Sequence, residues 1–220
     1  MAKTVFVMSV RRLPVYILLD TSGSMKGEPI HSVNVGLQAM LSAMRQDPYA
    51  LDSVYMSIIT FDIEAREIMP LTALSDVQLG EIIVPQSGAT FLGAALMLLV
   101  ERVDRDVRKN TKETKGDWRP LLFVMTDGNP SDLQMYRKAI IEIKKRNFGS
   151  ILACAAGPKA KSEALLELTD RVVTLDTMDS AAFLGFFKWV SASVSIGSSS
   201  NGLTEQVNLP PPPPEVNVVI

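Results

Sequence analysis

Short apolar runs alternate along this chain with longer segments in which apolar residues recur at helical spacing. Val15–Leu19 is a continuous apolar run typical of a buried strand, and Val54–Phe61 is rich in β-branched and aromatic residues. Ile63–Leu71 predicts a strand that pairs with Val54–Phe61 across a tight turn at Asp62. A helix between the first two strands is predicted from one apolar face: Ile30, Val33, Leu37, Met40, Leu41 and Met44.

The same alternation continues to residue 194 and predicts the fold class. Further strands are predicted at Leu121–Thr126, Ile151–Ala156 and Arg171–Leu175. Further helices are predicted near Ser75–Ile82 and at Leu92–Val107, Asp132–Lys145, Ser162–Thr169 and Ser180–Val194. Alternating helices and nearly continuous apolar strands indicate an α/β fold, with a doubly wound, mostly parallel central sheet flanked by helices.

The pattern divides the chain into one domain at residues 13–194, an N-terminal extension at 1–12 and a Gly/Ser- and Pro-rich tail at 195–220. Pro210–Pro214 favours a polyproline II segment, which serves either as a plain spacer or as a ligand for an aromatic groove. Val216–Ile220 is able to join a sheet edge, although nothing in the sequence requires it. Arg105–Trp118 is charged and is interpreted as a solvated loop.

Composition narrows the class of partner. The chain has 220 residues, of which 47% are hydrophobic and 21% charged, and a formal net charge of −2, which suits one domain with a substantial core. Nucleic acid is not expected as a partner, because phosphate binding normally needs a basic excess. No apolar stretch approaches the roughly 20 residues that a membrane helix needs, so no membrane partner is expected. The one cysteine, Cys154, lies in a predicted strand without a disulfide partner and favours a reducing, cytoplasmic location.

Oxygen-bearing side chains follow two of the predicted strands. Asp20, Ser22 and Ser24 lie in one turn directly after the first strand, and Asp127 directly follows Leu121–Thr126. In a parallel sheet, ligands bind outside the carboxyl ends of the strands, where these residues fall. Hydroxyl and carboxylate oxygens with few negative charges are the ligands that Mg²⁺ prefers. The sequence therefore predicts a divalent-cation site at this edge.

Three segments together resemble the von Willebrand factor A family and its metal-ion-dependent adhesion site: Asp20-Thr21-Ser22-Gly23-Ser24, Ser87-Gly88-Ala89-Thr90 and Thr126-Asp127-Gly128. Thr90 follows Asp20 by 70 positions and Asp127 follows it by 107, and the resemblance covers about residues 13–194. It implies a metal site of five residues, in which the hydroxyls of Ser22, Ser24 and Thr90 are ligands. Asp20 and Asp127 would bind the ion directly or through ordered water. Such a hydroxyl-rich, six-coordinate site favours Mg²⁺ or Mn²⁺ over Ca²⁺.

The family resemblance also implies a function, which is recognition rather than catalysis. Because neutral hydroxyls supply most of the ligands, the ion keeps part of its charge and takes an Asp or Glu of a protein partner in its open position. Arg11–Tyr16, Trp118–Pro120, Pro130 and Asp132 resemble the bacterial tellurite-resistance TerY-like group. That group implies a cytoplasmic role in a tellurite or stress-response system, with a co-encoded kinase or metal-dependent phosphatase as partner.

Two other functions are consistent with parts of the sequence. The chain is also interpretable as a metal-independent scaffold in which the ion only stabilises the loops. A phosphohydrolase with Asp20 as nucleophile usually needs a second Asp two residues on, where this chain has Ser22. A phosphate-binding loop fails because Ala94-Ala95 stand where Lys and Ser/Thr are needed. His31, the one histidine, is interpreted as an ordinary helix residue.

Overall fold

A seven-stranded sheet forms the centre of the molecule, in a computed structural model that describes residues 11–85, 88–158, 160–199 and 209–219. The strands are β1 (Leu13–Asp20), β2 (Val54–Phe61), β3 (Ala65–Ala73), β4 (Leu121–Thr126), β5 (Ser150–Ala156), β6 (Val172–Leu175) and β7 (Asn217–Val218). Their order is β3-β2-β1-β4-β5-β6-β7. Only the two edge strands, β3 and β7, run antiparallel to their neighbours. The predicted doubly wound, mostly parallel α/β fold is confirmed.

Helices cover both faces of the sheet. They are α1 (Glu28–Arg45), α2 (Pro48–Ser53), α3 (Leu92–Asp106), α4 (Leu133–Lys144), α5 (Glu163–Leu168) and α6 (Ser180–Ser199). Alternate residues of β1 point to opposite faces, so that Ile17 packs in the core with α1 and α6, whereas Leu18 packs in the core with α3 and α4. All eight residues of β1 are buried, which explains why its sequence is apolar without alternation.

The predicted helix near Ser75–Ile82 is wrong. After a turn at residues 74–76 the chain forms neither helix nor strand at residues 77–85 and contacts side chains of α1. The Asn34 amide donates to Ile82 O (2.8 Å) and accepts from Ile82 N (2.9 Å), and the Arg45 guanidinium donates to Val77 O. Because side chains of α1 satisfy these backbone groups, the segment keeps its peptide hydrogen bonds without closing helical turns.

Two further helices differ from the sequence prediction. The short helix α2 was not predicted, although Asp47 accepts hydrogen bonds from Tyr49 N (3.0 Å) and Ala50 N (3.4 Å) and Pro48 follows, which is a standard helix start. Helix α6 continues to Ser199 rather than ending at Val194. Its span Ser180–Ser198 is long and apolar enough to cross a membrane by length and composition, but half of it is buried against α1 and the sheet, as in a core helix.

Residues 209–219 pack back on the domain. The Trp189 indole donates to Pro210 O (2.8 Å), Val216 is 4% exposed, and β7 pairs antiparallel with β6. The edge-strand addition that the sequence allowed is therefore observed, and Pro210 contacts an aromatic residue of the same chain. Residues 1–10 of the predicted extension and 200–208 of the predicted tail lie outside the described residues.

Candidate metal centre

The predicted ligands lie together where β1 and β4 end. The two strands are adjacent and parallel, so Asp20 and Asp127 emerge at the same edge of the sheet. Ser24 Oγ donates to Asp127 Oδ1 at 2.9 Å, and Ser22 Oγ lies 3.2 Å from Ser24 Oγ. The turn after β1 is thereby joined to the end of β4, which places four oxygen-bearing side chains around one point.

Asp20 is buried, with 1% of its surface exposed. Its Oδ1 accepts from Ser22 N (2.8 Å) and its Oδ2 accepts from Thr126 Oγ1 (2.5 Å). Burial, with a smaller contribution from the charge of Asp127, raises the pKa of Asp20 to about 6 against the lowering effect of these hydrogen bonds. Among the described residues no lysine or arginine pairs with Asp20. A buried carboxylate without a basic partner fits a site for a cation.

Thr90, the fifth predicted ligand, lies in the loop before α3 and is also buried. A Cβ atom on Gly128 would lie 3.3 Å from Thr90 Oγ1, which places the hydroxyl beside the segment that carries Asp127. The structure therefore brings all five residues to one edge. Ser87 of the same motif lies outside the described residues.

The loop after β4 holds Thr90 and α3 in place. Ser131 N donates to Thr90 O (2.8 Å), and Ser131 Oγ accepts from Thr90 N (3.2 Å). Asp132 accepts from Gly93 N (3.0 Å) and Ala94 N (2.8 Å), the free amides at the start of α3. Sequence reasoning gave neither residue a role in the site. Asp132 immediately precedes α4, so a local pattern would assign it to capping that helix.

The ligand chemistry indicates which kind of ion fits. Within the described residues no group of three or more His, Cys, Asp or Glu side chains could hold a metal, so the site depends on its hydroxyls. Hydroxyl and carboxylate oxygens suit a small, hard divalent cation. Burial also raises the pKa of Asp127, which is partly exposed together with Ser24. The site is therefore open to solvent on the Ser24 and Asp127 side and closed at Asp20.

Three other side chains whose chemistry suits catalysis are those of His31, Cys154 and Ser22. His31 is exposed on α1. Cys154 is fully buried in β5, as predicted, and burial raises the pKa of its thiol, which favours the unreactive form. Ser22 Oγ contacts another hydroxyl, that of Ser24, rather than a base. Within the described residues, Ser22 Oγ therefore has no hydrogen bond to a basic side chain that would activate it as a nucleophile.

Comparison with known proteins assigns the family and the fold. A family model described as von Willebrand factor type A domain matches residues 15–181. A search of the curated proteins finds no match. Among solved structures, von Willebrand factor type A from Catenulispora acidiphila superposes with a TM-score of 0.61 at 16% identity, covering 84% of this chain and 43% of that one.

Two adhesive or matrix proteins also share the fold. Proximal thread matrix protein 1 from the mussel byssus, solved with a zinc-occupied MIDAS motif, gives a TM-score of 0.56 at 16% identity over 83% of this chain and 46% of that one. The pilus adhesin SpaC from Lactobacillus rhamnosus GG gives 0.65 at 11% identity over 86% and 30%. This chain therefore spans less than half of the length of these structures.

Proposed function

Because the chain belongs to the von Willebrand factor type A family, we propose that it is a metal-dependent protein-recognition module. Domains of this family are protein-interaction modules that often bind a divalent cation at a metal-ion-dependent adhesion site. The proposal rests on the environment of Asp20. This carboxylate is buried and has no basic partner in the described chain. Around it lie the hydroxyls and the second carboxylate that such a site uses.

The proposed metal ligands are Asp20, Ser22, Ser24, Thr90 and Asp127. We propose Mg²⁺ or Mn²⁺ as the ion, since its ligands here would be hydroxyls and only two carboxylates. With so few charges around it, a bound ion stays positive enough to attract the Asp or Glu of a partner. The exposure of Ser24 supports approach from that side.

The biological setting is proposed from the sequence features alone. Arg11–Tyr16, Trp118–Pro120 and Asp132 support a TerY-like role in a bacterial tellurite or stress-response system. The single buried thiol, Cys154, supports a cytoplasmic location. A co-encoded kinase or metal-dependent phosphatase is then the first partner to test. We propose that the protein has no catalytic activity of its own. Ser22 occupies the position where a phosphohydrolase would carry its second aspartate.

A titration of chelator-stripped protein with Mn²⁺ and Mg²⁺, followed by calorimetry, tests the metal site. Thr90→Val should weaken binding about 10-fold or more while the fold survives. Thr21→Val is the matched control, because Thr21 is a buried neighbour whose hydroxyl contacts Phe61 O (3.2 Å) instead of the site. Equal metal binding by both variants and the wild type would refute Thr90 as a ligand.

Partner capture separates recognition from the scaffold alternative. Binding of the partner should require metal and fail with Thr90→Val under conditions where both proteins are folded. Retention of the partner after chelation, with unchanged affinity, would refute metal-bridged recognition and leave the ion a purely structural role. Loss of partner binding only in step with unfolding would point to the same scaffold function.

A further inference from the structure

A large cleft lies at the edge of the sheet opposite the candidate metal centre. It is lined by Leu13, at the start of β1, and by Pro120, just before β4, whereas the proposed metal ligands follow the other ends of these strands. Its volume is about 880 Å³, within the range of roughly 300–1,000 Å³ found for small-molecule sites. We call it the basic cleft, bounded by the loop at residues 107–119, the α4–β5 turn and the first residues of β1.

The walls of the basic cleft combine apolar surface with fixed cations. Its apolar and aromatic lining consists of Val103, Val107, Trp118 and Phe148. The Arg11 guanidinium lies over the Trp118 ring at 3.6 Å and donates to Gly116 O (2.7 Å) and Asp117 O (2.8 Å). These partners are carbonyls and a ring, so within the described part of the chain no carboxylate bound to Arg11 neutralises its charge.

The acidic residues of the cleft are all paired with other cations. Asp117 accepts from Arg12 at 2.6 Å, and Asp104 pairs with Arg146 at 2.5 Å. Glu142 pairs with Lys145 (2.6 Å) and with Arg146 (2.8 Å). The three carboxylates are therefore each bound by another arginine or lysine, and none of them forms an ion pair with Arg108 or Lys109.

Arg108 and Lys109 are the clearest surplus charges. Both side chains line the cleft and are exposed, and neither forms a hydrogen bond or ion pair with another described residue. The Arg108 backbone is held in place because its N–H donates to Asp117 Oδ2 (2.8 Å). Since the whole chain carries a net charge of −2, this surplus is a local feature of the cleft.

We propose that the basic cleft binds a phosphorylated small molecule. Arg and Lys side chains are the principal phosphate ligands of proteins, through charge-assisted hydrogen bonds. Phosphate groups would lie against Arg108 and Lys109, and the body of the ligand would lie against the wall formed by Trp118. The cleft shares no residue with the metal centre, so this proposal stands independently of metal-dependent recognition.

Calorimetric titration of the full chain with ATP, inorganic triphosphate and citrate tests the proposal. A chelator is present throughout, so that no ligand reaches the protein through a metal. Arg108→Gln/Lys109→Gln should weaken ATP binding about 10-fold or more at 0.15 M salt, because two charge-assisted contacts are lost. Lys112→Gln/Lys115→Gln is the matched control, because it removes two exposed charges from the same loop but outside the cleft, and it should change affinity less than about 2-fold.

The outcomes are distinct. Tighter binding of ATP than of triphosphate would support the whole proposal, including the contact of the ligand body with Trp118. Equal binding would support phosphate binding at Arg108 and Lys109 but would overturn the contact with Trp118. Equal weakening by the two double variants, absence of saturable binding, or citrate binding as tightly as triphosphate would overturn it. Circular dichroism confirms that both variants are folded. Asp20→Asn should bind ATP like the wild type, so failure of either proposal leaves the other standing.

Discussion

Thr90 and Ser131 exchange two hydrogen bonds across 41 positions of sequence, from Ser131 N to Thr90 O (2.8 Å) and from Thr90 N to Ser131 Oγ (3.2 Å). One residue precedes α3 and the other follows β4. The position of the Thr90 hydroxyl at the candidate metal centre therefore depends on a second loop. Asp132, the next residue of that loop, accepts from two amides at the start of α3 and reinforces the connection.

The first prediction concerns Asp132. Asp132→Asn keeps the size of the side chain but replaces one acceptor oxygen by an NH₂ group that faces a backbone N–H. We expect Mn²⁺ affinity to fall about 10-fold, because Thr90 is no longer held in position, and the free energy of unfolding to fall by about 1–2 kcal/mol. Calorimetry and urea denaturation measure the two effects.

Asp47→Asn is the control for that experiment. Asp47 also accepts from two backbone amides, Tyr49 N and Ala50 N, but at the start of α2. We expect a similar or smaller loss of stability and unchanged metal affinity. A parallel loss of metal affinity in both variants would show that Asp132 acts only through general stability.

The second prediction concerns the pH dependence of stability in the metal-free protein. Burial raises the pKa of Asp20 to about 6 in the folded state, compared with about 3.9 in an unfolded chain. Folding therefore favours the protonated acid, so the stabilisation from this group is complete below about pH 4 and is lost as the pH rises through about 6. Through Asp20 alone, the free energy of unfolding should fall by about 1 kcal/mol between pH 5 and 7, out of a total of about 3 kcal/mol over the whole pH range.

Urea denaturation at pH 5 and pH 7 with chelator present measures this change. Asp20→Asn should remove most of it, because the amide does not titrate. Asp104 and Asp179 have lowered pKa values, so their contributions are lost only at lower pH, outside this window. An unchanged pH slope in Asp20→Asn would contradict the prediction.

The third prediction is that metal affinity rises with pH, whereas the stability of the metal-free protein falls. A cation and a proton compete for Asp20, so Mn²⁺ affinity should fall as the pH is lowered through about 6. Calorimetric titrations at pH 7.5, 6.5 and 5.5 measure the trend. Affinity that stays constant over this range would mean that the pKa of Asp20 is not raised or that Asp20 does not take part in binding.

The fourth prediction concerns the close approach of α3 and α4. A Cβ on Gly93 would lie 2.3 Å from Tyr136 N, a backbone atom that cannot move without moving α4. Gly93→Ala should therefore lower the free energy of unfolding by about 2–3 kcal/mol. Gly80→Ala is the control, because a Cβ there meets no atom within 4 Å, and it should be neutral within about 0.5 kcal/mol.

The fifth prediction tests whether the end of the described chain is part of the fold. Val216 is 4% exposed and Val218 is 53% exposed, although they lie two residues apart. Val216→Ala should cost about 2 kcal/mol of unfolding free energy, whereas Val218→Ala should cost less than about 0.5 kcal/mol. Equal, small effects in urea denaturation would contradict the packing of this segment on the domain.

The strands and the candidate ligands were predictable because each depends on a short, local pattern of residues in the sequence. β1 and β4 are buried on both faces, so each is a continuous apolar run, and each is followed by a carboxylate. Parallel pairing of the two strands then brings Asp20 and Asp127 to the same edge. The five-residue metal pattern followed from this spacing together with a family resemblance.

Hydrogen bonds between side chains and backbone groups that are far apart in sequence could not be predicted, because no local pattern accompanies them. A helix is predicted near Ser75–Ile82, but the segment forms none, and the Asn34 side chain satisfies the Ile82 backbone instead. Asp132 precedes α4, yet the tertiary structure turns its carboxylate to the start of α3. Apolar runs and the residues that follow them were enough to predict which segments are buried and which side chains offer oxygen ligands. The backbone groups that polar side chains satisfy could be read only from the folded chain, because hydrogen bonds between remote segments impose no periodicity on the sequence.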